Sequence, residues 1–159
     1  MTLKRGLIAA GVLVAIAGLV LGLDYVQRSR PTELAPGSVP IYVGERRIGA
    51  FVPQDLEGLD QISFVDAEEG KTQEGWMLRD VLFLHLSEDA LRSNSTITVS
   101  SSSRGKSAQV TWQEADNLEN SVLFDLSSRG TLKLVSKLEG LDTRDTWVQD
   151  VDRIEVRIQ

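Results

Sequence analysis

The segment STITVSSSSRGKSAQVTW, residues 95–112, has the pattern of a β-hairpin. Apolar and polar residues alternate over residues 95–100, which is the period of a half-buried strand. The sequence RGK at residues 104–106 is typical of a turn, and alternation resumes over residues 108–112. The segment therefore predicts two paired strands within a β-rich domain.

The two-residue period continues on both sides of this hairpin. Residues 53–58, PQDLEG, begin with proline and end with glycine, which is typical of one short helical turn. The further predicted strands lie over residues 40–43, 48–52, 62–65, 122–126, 131–135 and 153–158. We therefore predict a single β-rich α+β domain over residues 39–159.

One soluble helix is predicted, over residues 77–86. Its apolar face consists of Leu78, Val81, Leu82 and His85, which follow the spacing i, i+3, i+4 and i+7. His85 is the only histidine in the chain, so a metal site built from several histidines is excluded. Its place on an apolar helix face favours a structural role over a catalytic one.

An apolar run, LIAAGVLVAIAGLVLGL, occupies residues 7–23 and contains no charged residue. A helix of this length spans roughly 26 Å, nearly the thickness of a bilayer core. Lys4 and Arg5 precede the run, which favours a cytoplasmic N-terminus. No small-residue cleavage site follows Leu23, so a retained signal-anchor is favoured over a cleaved signal peptide. We expect a transmembrane helix over about residues 6–26.

The chain is thus predicted to have three parts. Residues 1–30 form the membrane anchor, and residues 31–38 form a short proline-containing linker. Residues 39–159 form a domain outside the cytoplasm, either periplasmic or on the cell exterior. This organisation predicts a single-pass membrane protein whose N-terminal helix contacts the lipid.

Charge and cysteine content exclude several kinds of protein. The chain has 17 basic and 23 acidic residues; four basic residues and one acidic residue flank the anchor, which leaves 13 and 22 in residues 31–159. A domain with a net charge of about −9 repels phosphate backbones, so nucleic acid is not an expected partner. The absence of cysteine excludes disulfides, thiolate metal sites and a thiol nucleophile.

Two turns place cations beside glycine and serine in this acidic domain. They are RGKS at residues 104–107 and SSRG at residues 127–130. Arg104, Lys106 and Arg129 are therefore candidate ligands for an anion such as phosphate, with ordinary solvated turns as the alternative. The sequence has no glycine-rich phosphate loop, zinc motif or calcium loop, so no metal site is predicted.

Several segments resemble the molybdopterin-binding domain of the sulfite oxidase family. GWMLRDVL, residues 75–82, resembles the element G-x-x-L-x-D-x-L that opens a helix in that family. The segments that follow in a similar order are RGKSAQVTWQEA at 104–115, VLFDL at 122–126, RGTLKLVSK at 129–137 and WVQDVDRIEV at 147–156. The resemblance covers residues 39–158 and implies the sulfite oxidase molybdopterin-binding fold.

The resemblance also implies a cofactor site that this chain lacks in part. Family enzymes hold molybdenum through a cysteine thiolate, and they bind the pterin phosphate with basic residues. Here Arg104, Lys106 and Arg129 are the only candidates for that role, none of them matches a particular ligand of the family, and no cysteine is present. We therefore expect a non-catalytic accessory or binding module without cofactor, associated with other subunits of a membrane complex. The alternatives are a molybdopterin-dependent oxidoreductase subunit with a cysteine-free site, and a structural envelope protein.

Overall fold

Residues 34–159, which the computed structural model describes, contain nine β-strands and two short α-helices. The strands are β1 (Val39–Val43), β2 (Arg46–Phe51), β3 (Gln61–Val65), β4 (Thr72–Met77), β5 (Thr96–Ser101), β6 (Lys106–Thr111), β7 (Leu123–Leu126), β8 (Leu132–Val135) and β9 (Arg153–Arg157). The α-helices are α1 (Leu78–Phe83) and α2 (Trp112–Asp116), and 3-10 helices cover Pro53–Gly58, Glu88–Ala90 and Leu118–Asn120. The predicted β-rich α+β class is confirmed.

The predicted transmembrane helix over residues 6–26 lies outside the described residues. Between residues 34 and 159, no helix has the length and apolar character that a membrane crossing requires.

The first sheet, sheet A, has the strand order β2-β1-β9-β5-β6. The β1–β2 and β5–β6 hairpins do not pair with each other, because β9 lies between them. β9 runs parallel to β1 and antiparallel to β5. Ile154 and Val156 alternate with charged residues along β9 and are fully buried, so this strand fills the centre of the sheet.

The second sheet, sheet B, has the order β3-β4-β7-β8, and all of its strands are antiparallel. Gly75 of β4 pairs with Asp125 of β7. A Cβ atom at Gly75 would lie 1.8 Å from the Phe124 carbonyl oxygen. Only glycine allows this close approach of the two backbones.

Buried side chains of both sheets and of α1 form the main core. Sheet A contributes Ile41, Ile97, Val99 and Ile154; sheet B contributes Trp76, Phe124 and Leu134; α1 contributes Leu78, Val81 and Leu82. Because α1 begins directly after β4, its apolar face reaches this core without a connecting loop.

A second, smaller core covers the other face of sheet B. It consists of Phe64, Leu123, Val135 and Trp147, with Ile62 packed against it. Trp147 belongs to the long connection between β8 and β9, and its indole Nε1–H donates to the Leu141 carbonyl at 3.1 Å. Sheet B is therefore buried on both faces.

The predicted helix over residues 77–86 is too long. Leu78, Val81 and Leu82 are buried as expected, but α1 ends at Phe83. After Phe83, the backbone N–H groups of Leu84 and His85 donate to the Val81 and Leu82 carbonyls, which are three-residue bonds typical of a tightened last turn. The imidazole is exposed rather than part of the core.

The predicted strand over residues 108–112 also ends early, because Trp112 begins α2. Thr111 is the N-cap of this helix, and its hydroxyl accepts from the Glu114 backbone N–H. The Glu114 carboxylate accepts in return from the Thr111 backbone N–H at 2.7 Å. This reciprocal pair is a capping box, which stops the strand and starts the helix.

Candidate functional site

Two of the three predicted anion ligands come together, around the carboxylate of Asp150. Arg104, in the β5–β6 turn of sheet A, donates from Nε to Asp150 Oδ2 at 2.6 Å. Arg129, in the β7–β8 turn of sheet B, donates from Nη2 to Oδ1 at 3.0 Å. The Thr131 hydroxyl donates to the same Oδ1 at 2.7 Å. We call these four residues the Asp150 cluster, and it joins one turn of each sheet.

The Asp150 carboxylate is held in its ionised form. The hydrogen bond from Thr131, followed by that from Arg104, lowers the pKa of Asp150 below its ordinary value of 3.8. Its backbone has a φ of 54°, in the left-handed region that few residues other than glycine adopt. This conformation directs a carboxylate from the loop before β9 toward both arginines.

A cavity of about 220 Å³ lies beside the Asp150 cluster. Its lining includes Asp150, Thr131 and a second carboxylate, Asp152. Asp152 accepts from the Ser102 backbone N–H at 2.8 Å and from the Ser102 hydroxyl. Two acidic residues therefore line the space into which an external anion would enter.

This arrangement does not fit a cofactor phosphate. A phosphate bound between Arg104 and Arg129 would have to displace Asp150 from both guanidinium groups. The chain's own carboxylate is tethered beside them, so it competes at a high effective concentration. Asp150 thus occupies both guanidinium groups and offsets one of the two positive charges that Arg104 and Arg129 bring together.

The third predicted ligand, Lys106, lies apart from this cluster. Its ammonium group donates to the backbone carbonyl of Asp145. Lys106 lines a larger cavity, of about 340 Å³, which we call the β6 groove. The groove is formed by residues 106–109 of β6, Glu114 of α2, and residues 138–141 and Thr146 of the β8–β9 connection.

Polar side chains on the outer face of sheet B form a network of hydrogen bonds and ion pairs. Lys133 Nζ lies 2.8 Å from Asp125 Oδ2 and 2.9 Å from Gln73 Oε1, and 5.2 Å from the centre of the Trp147 ring. Gln73 Nε2 donates in turn to Asp66 at 2.9 Å. Each of these polar groups has a partner within the protein, so the network fastens Trp147 over the sheet and leaves no group directed at a substrate.

His85 is exposed, but one side of its imidazole contacts the backbone of β2. A Cβ atom at Gly49 of β2 would lie 2.4 Å from His85 Nδ1, so the imidazole rests directly on this glycine. Across the described range, no three His, Cys, Asp or Glu side chains are grouped closely enough to hold a metal ion.

No protein-family model matches this sequence, and no curated protein matches it. The resemblance to the sulfite oxidase family thus stays a prediction that rests on its short motifs.

Proposed function

We propose that this chain is a non-catalytic accessory module of a membrane complex, anchored by residues 6–26 and facing the periplasm or cell exterior. Its fold is proposed to be a degenerate form of the sulfite oxidase molybdopterin-binding fold. Its role is to bind another subunit. The observation that carries this proposal is the position of Asp150 between two of the three candidate phosphate ligands, Arg104 and Arg129.

Two further features support a binding role. The chain has no cysteine, whereas the family it resembles ligates molybdenum through a thiolate. The larger of the two cavities described above lies along an edge of sheet A, where a partner chain has access. Both features favour a module that contacts protein over one that holds a redox cofactor.

Metal and subunit analysis of the full-length chain tests the proposal. The chain is purified from its native membrane in a mild detergent, and molybdenum, tungsten and co-purifying proteins are quantified by mass spectrometry. We expect neither metal at stoichiometric level and one membrane subunit in constant ratio. Stoichiometric molybdenum or tungsten would overturn the proposal.

Phosphate titration tests the carrying observation directly. Asp150→Ser frees both arginines, so this variant should bind inorganic phosphate more tightly than the wild type, in a salt-dependent way. Asp152→Ser is the matched control, because it removes the same charge from the same cavity without touching Arg104 or Arg129. If the wild type binds phosphate as tightly as Asp150→Ser, the carboxylate does not block the site.

The anchor and its orientation have a separate test. Intact-mass measurement of the membrane fraction should give an uncleaved chain, since no cleavage site follows Leu23. Protease added to spheroplasts should digest residues 31–159. A mature N-terminus beyond residue 20, or full protection from the protease, would contradict this part of the proposal.

A further inference from the structure

The β6 groove lies beside an open edge of sheet A. β6 is the last strand in the order β2-β1-β9-β5-β6, and within residues 34–159 no strand pairs with its outer side. By contrast, β8, the edge of sheet B, is bridged by Val148, whose backbone exchanges two hydrogen bonds with Leu134. An open edge offers unpaired backbone groups to another extended chain.

The pairing of β6 with β5 identifies which backbone groups face outward. The Trp112 N–H donates to the Ser95 carbonyl at 2.7 Å, just beyond the registered pair Thr96 and Thr111. Hydrogen-bonded pairs alternate along an antiparallel ladder. The N–H and C=O groups of Ser107 and Gln109 therefore point away from β5, into the open side.

The capping box of α2 limits this open stretch at one end. The next outward N–H in the series belongs to Thr111, and the Glu114 carboxylate already accepts from it at 2.7 Å. Ser107 and Gln109 thus offer four backbone groups in the alternating pattern that a short added strand requires.

The groove beyond this edge has an apolar floor. Ala108 and Leu138 are half-buried and pack against the main core, and Leu141 is buried. All three line the cavity, whose volume of about 340 Å³ is that of a small binding pocket. An apolar side chain of an added strand would find contacts here.

Charge selects the kind of segment that fits. Glu114 and Glu139 both line the groove and Lys106 is the one cation in its lining, so the lining carries a net negative charge. The opposite edge of sheet A begins with the exposed Arg46, so it favours a basic segment less. The β6 edge thus complements a positively charged partner.

We propose that an extended, basic segment of the partner subunit pairs with Ser107 and Gln109 of β6 as a sixth strand of sheet A. One of its apolar side chains enters the β6 groove, and its cations face Glu114 and Glu139. This inference rests on the proposed accessory function and names the chemistry of the partner.

The test uses the full-length chain, labelled with ¹⁵N in a zwitterionic detergent, and the synthetic peptide acetyl-KVKVKVK-amide as the probe. Amide chemical shifts and hydrogen exchange should change first at Ser107 and Gln109. Ser107→Pro removes an outward N–H without removing a bond to β5, and should weaken binding about tenfold. Ser107→Ala keeps the N–H and should bind like the wild type.

Charge variants and a peptide of opposite sign test the selectivity. Glu139→Lys should weaken binding about two- to fivefold, whereas Glu45→Lys, the same change in the β1–β2 turn at the other edge of sheet A, should not. The peptide acetyl-EVEVEVE-amide should not bind. Equal binding of both peptides, or changes centred on β2 or β3, would overturn the proposal.

If Ser107→Pro does not fold, N-methylated peptides test the backbone pairing instead. Methyl groups on alternate amides leave one edge of the peptide able to form backbone hydrogen bonds. Methylation of every amide should abolish binding. Unchanged binding of the fully methylated probe would contradict strand addition. If the probe does not bind while the chain still co-purifies with a subunit, only the assignment of the partner to β6 is wrong. Stoichiometric molybdenum without a co-purifying subunit would instead overturn the proposed function itself.

Discussion

The two sheets of this domain differ in the number of faces that they bury. Sheet A presents one apolar face to the main core, and its other face, with Thr98, Gln109 and Glu155, is half-buried or exposed. Sheet B contacts the main core through Phe124 and is covered on its other face by Trp147. A sheet with two buried faces needs cover from outside its own strands, and here the β8–β9 connection supplies it.

Because sheet B needs this cover, the β8–β9 connection has a structural role. The β8–β9 connection has no strand of its own, yet its Trp147 and Val148 are almost fully buried. Loops usually lie on the surface because their backbone polar groups need water. This connection meets the requirement internally, since the Val148 backbone bridges Leu134. It therefore acts as an additional layer on the outer face of sheet B.

Removal of the indole over sheet B should have the largest effect. Trp147→Ala exposes Leu123 and Val135 and leaves a cavity, so we expect a loss of about 3–5 kcal/mol in the free energy of unfolding. Tyr42→Ala, on the open face of sheet A, loses mainly its contact with Arg153 and should cost about 1 kcal/mol. Urea unfolding followed by circular dichroism measures both. Equal losses in the free energy of unfolding would show that the outer faces of the two sheets contribute equally to stability.

The close contact between β4 and β7 is the next most sensitive point. Gly75→Ala places a methyl group against the Phe124 carbonyl, and the backbone of a central strand has little freedom to shift, so we expect a loss of about 3 kcal/mol. Gly58→Ala is the control, because a Cβ atom there meets nothing within 4 Å. Thermal unfolding compares the two variants. A Gly75→Ala variant as stable as Gly58→Ala would mean that the strands can separate at this point.

The ion pairs on the outer faces of the two sheets should also differ in how much they contribute to stability. Lys133 and Asp125 in sheet B are 18% and 20% exposed, so Lys133→Met leaves a half-buried carboxylate without its partner. We expect a loss of about 1.5–3 kcal/mol. Arg153→Met in sheet A breaks a pair that is 41% and 29% exposed and should cost less than about 1 kcal/mol. Denaturant titration gives both values, and the reverse order would contradict the comparison.

The Asp150 cluster, which links the sheets, should show its contribution as a pH dependence. The folded-state pKa of Asp150 is lowered below 3.8, so its contribution to stability is present above this pH and is lost as the pH falls through the folded-state value. Asp150→Asn keeps a side chain that tolerates the left-handed backbone. The difference in unfolding free energy between wild type and variant should be constant above about pH 5 and decrease below 3.8. A difference that is constant down to pH 2 would contradict the stabilisation of the fold by the ionised Asp150 carboxylate.

The sequence predicted sheet A better than sheet B for a physical reason. β5 alternates between half-buried and buried residues along its whole length, as a strand with one open face must. In β4, the last three residues, Gly75, Trp76 and Met77, are all buried, so they show no alternation, and no strand was predicted here. The capping box of Thr111 and Glu114 was readable in the sequence and would have predicted the start of α2.

The candidate site was predictable only in part. Basic turns identified Arg104 and Arg129, but their meeting depends on how the two sheets pack, which local patterns do not encode. Asp150 stands in an irregular segment, and its left-handed backbone has no sequence signal beyond the tolerance of aspartate for this conformation. Lys106 separates from the arginines because it begins β6 and reaches toward the β8–β9 connection. The groove itself joins two distant parts of the chain, residues 106–114 and 138–146, and no sequence pattern revealed it.

The central place of β9 in sheet A has a consequence for synthesis on the ribosome. Chains emerge N-terminus first, at about 5–20 residues per second, and domains fold as their parts become available. The β1–β2 and β5–β6 hairpins emerge well before Arg153–Arg157, the strand that joins them. Until then Ile41 and Ile97 have no strand between them, and each hairpin exposes an apolar face. A nascent chain at this stage should be a chaperone substrate, and its release should follow the arrival of β9.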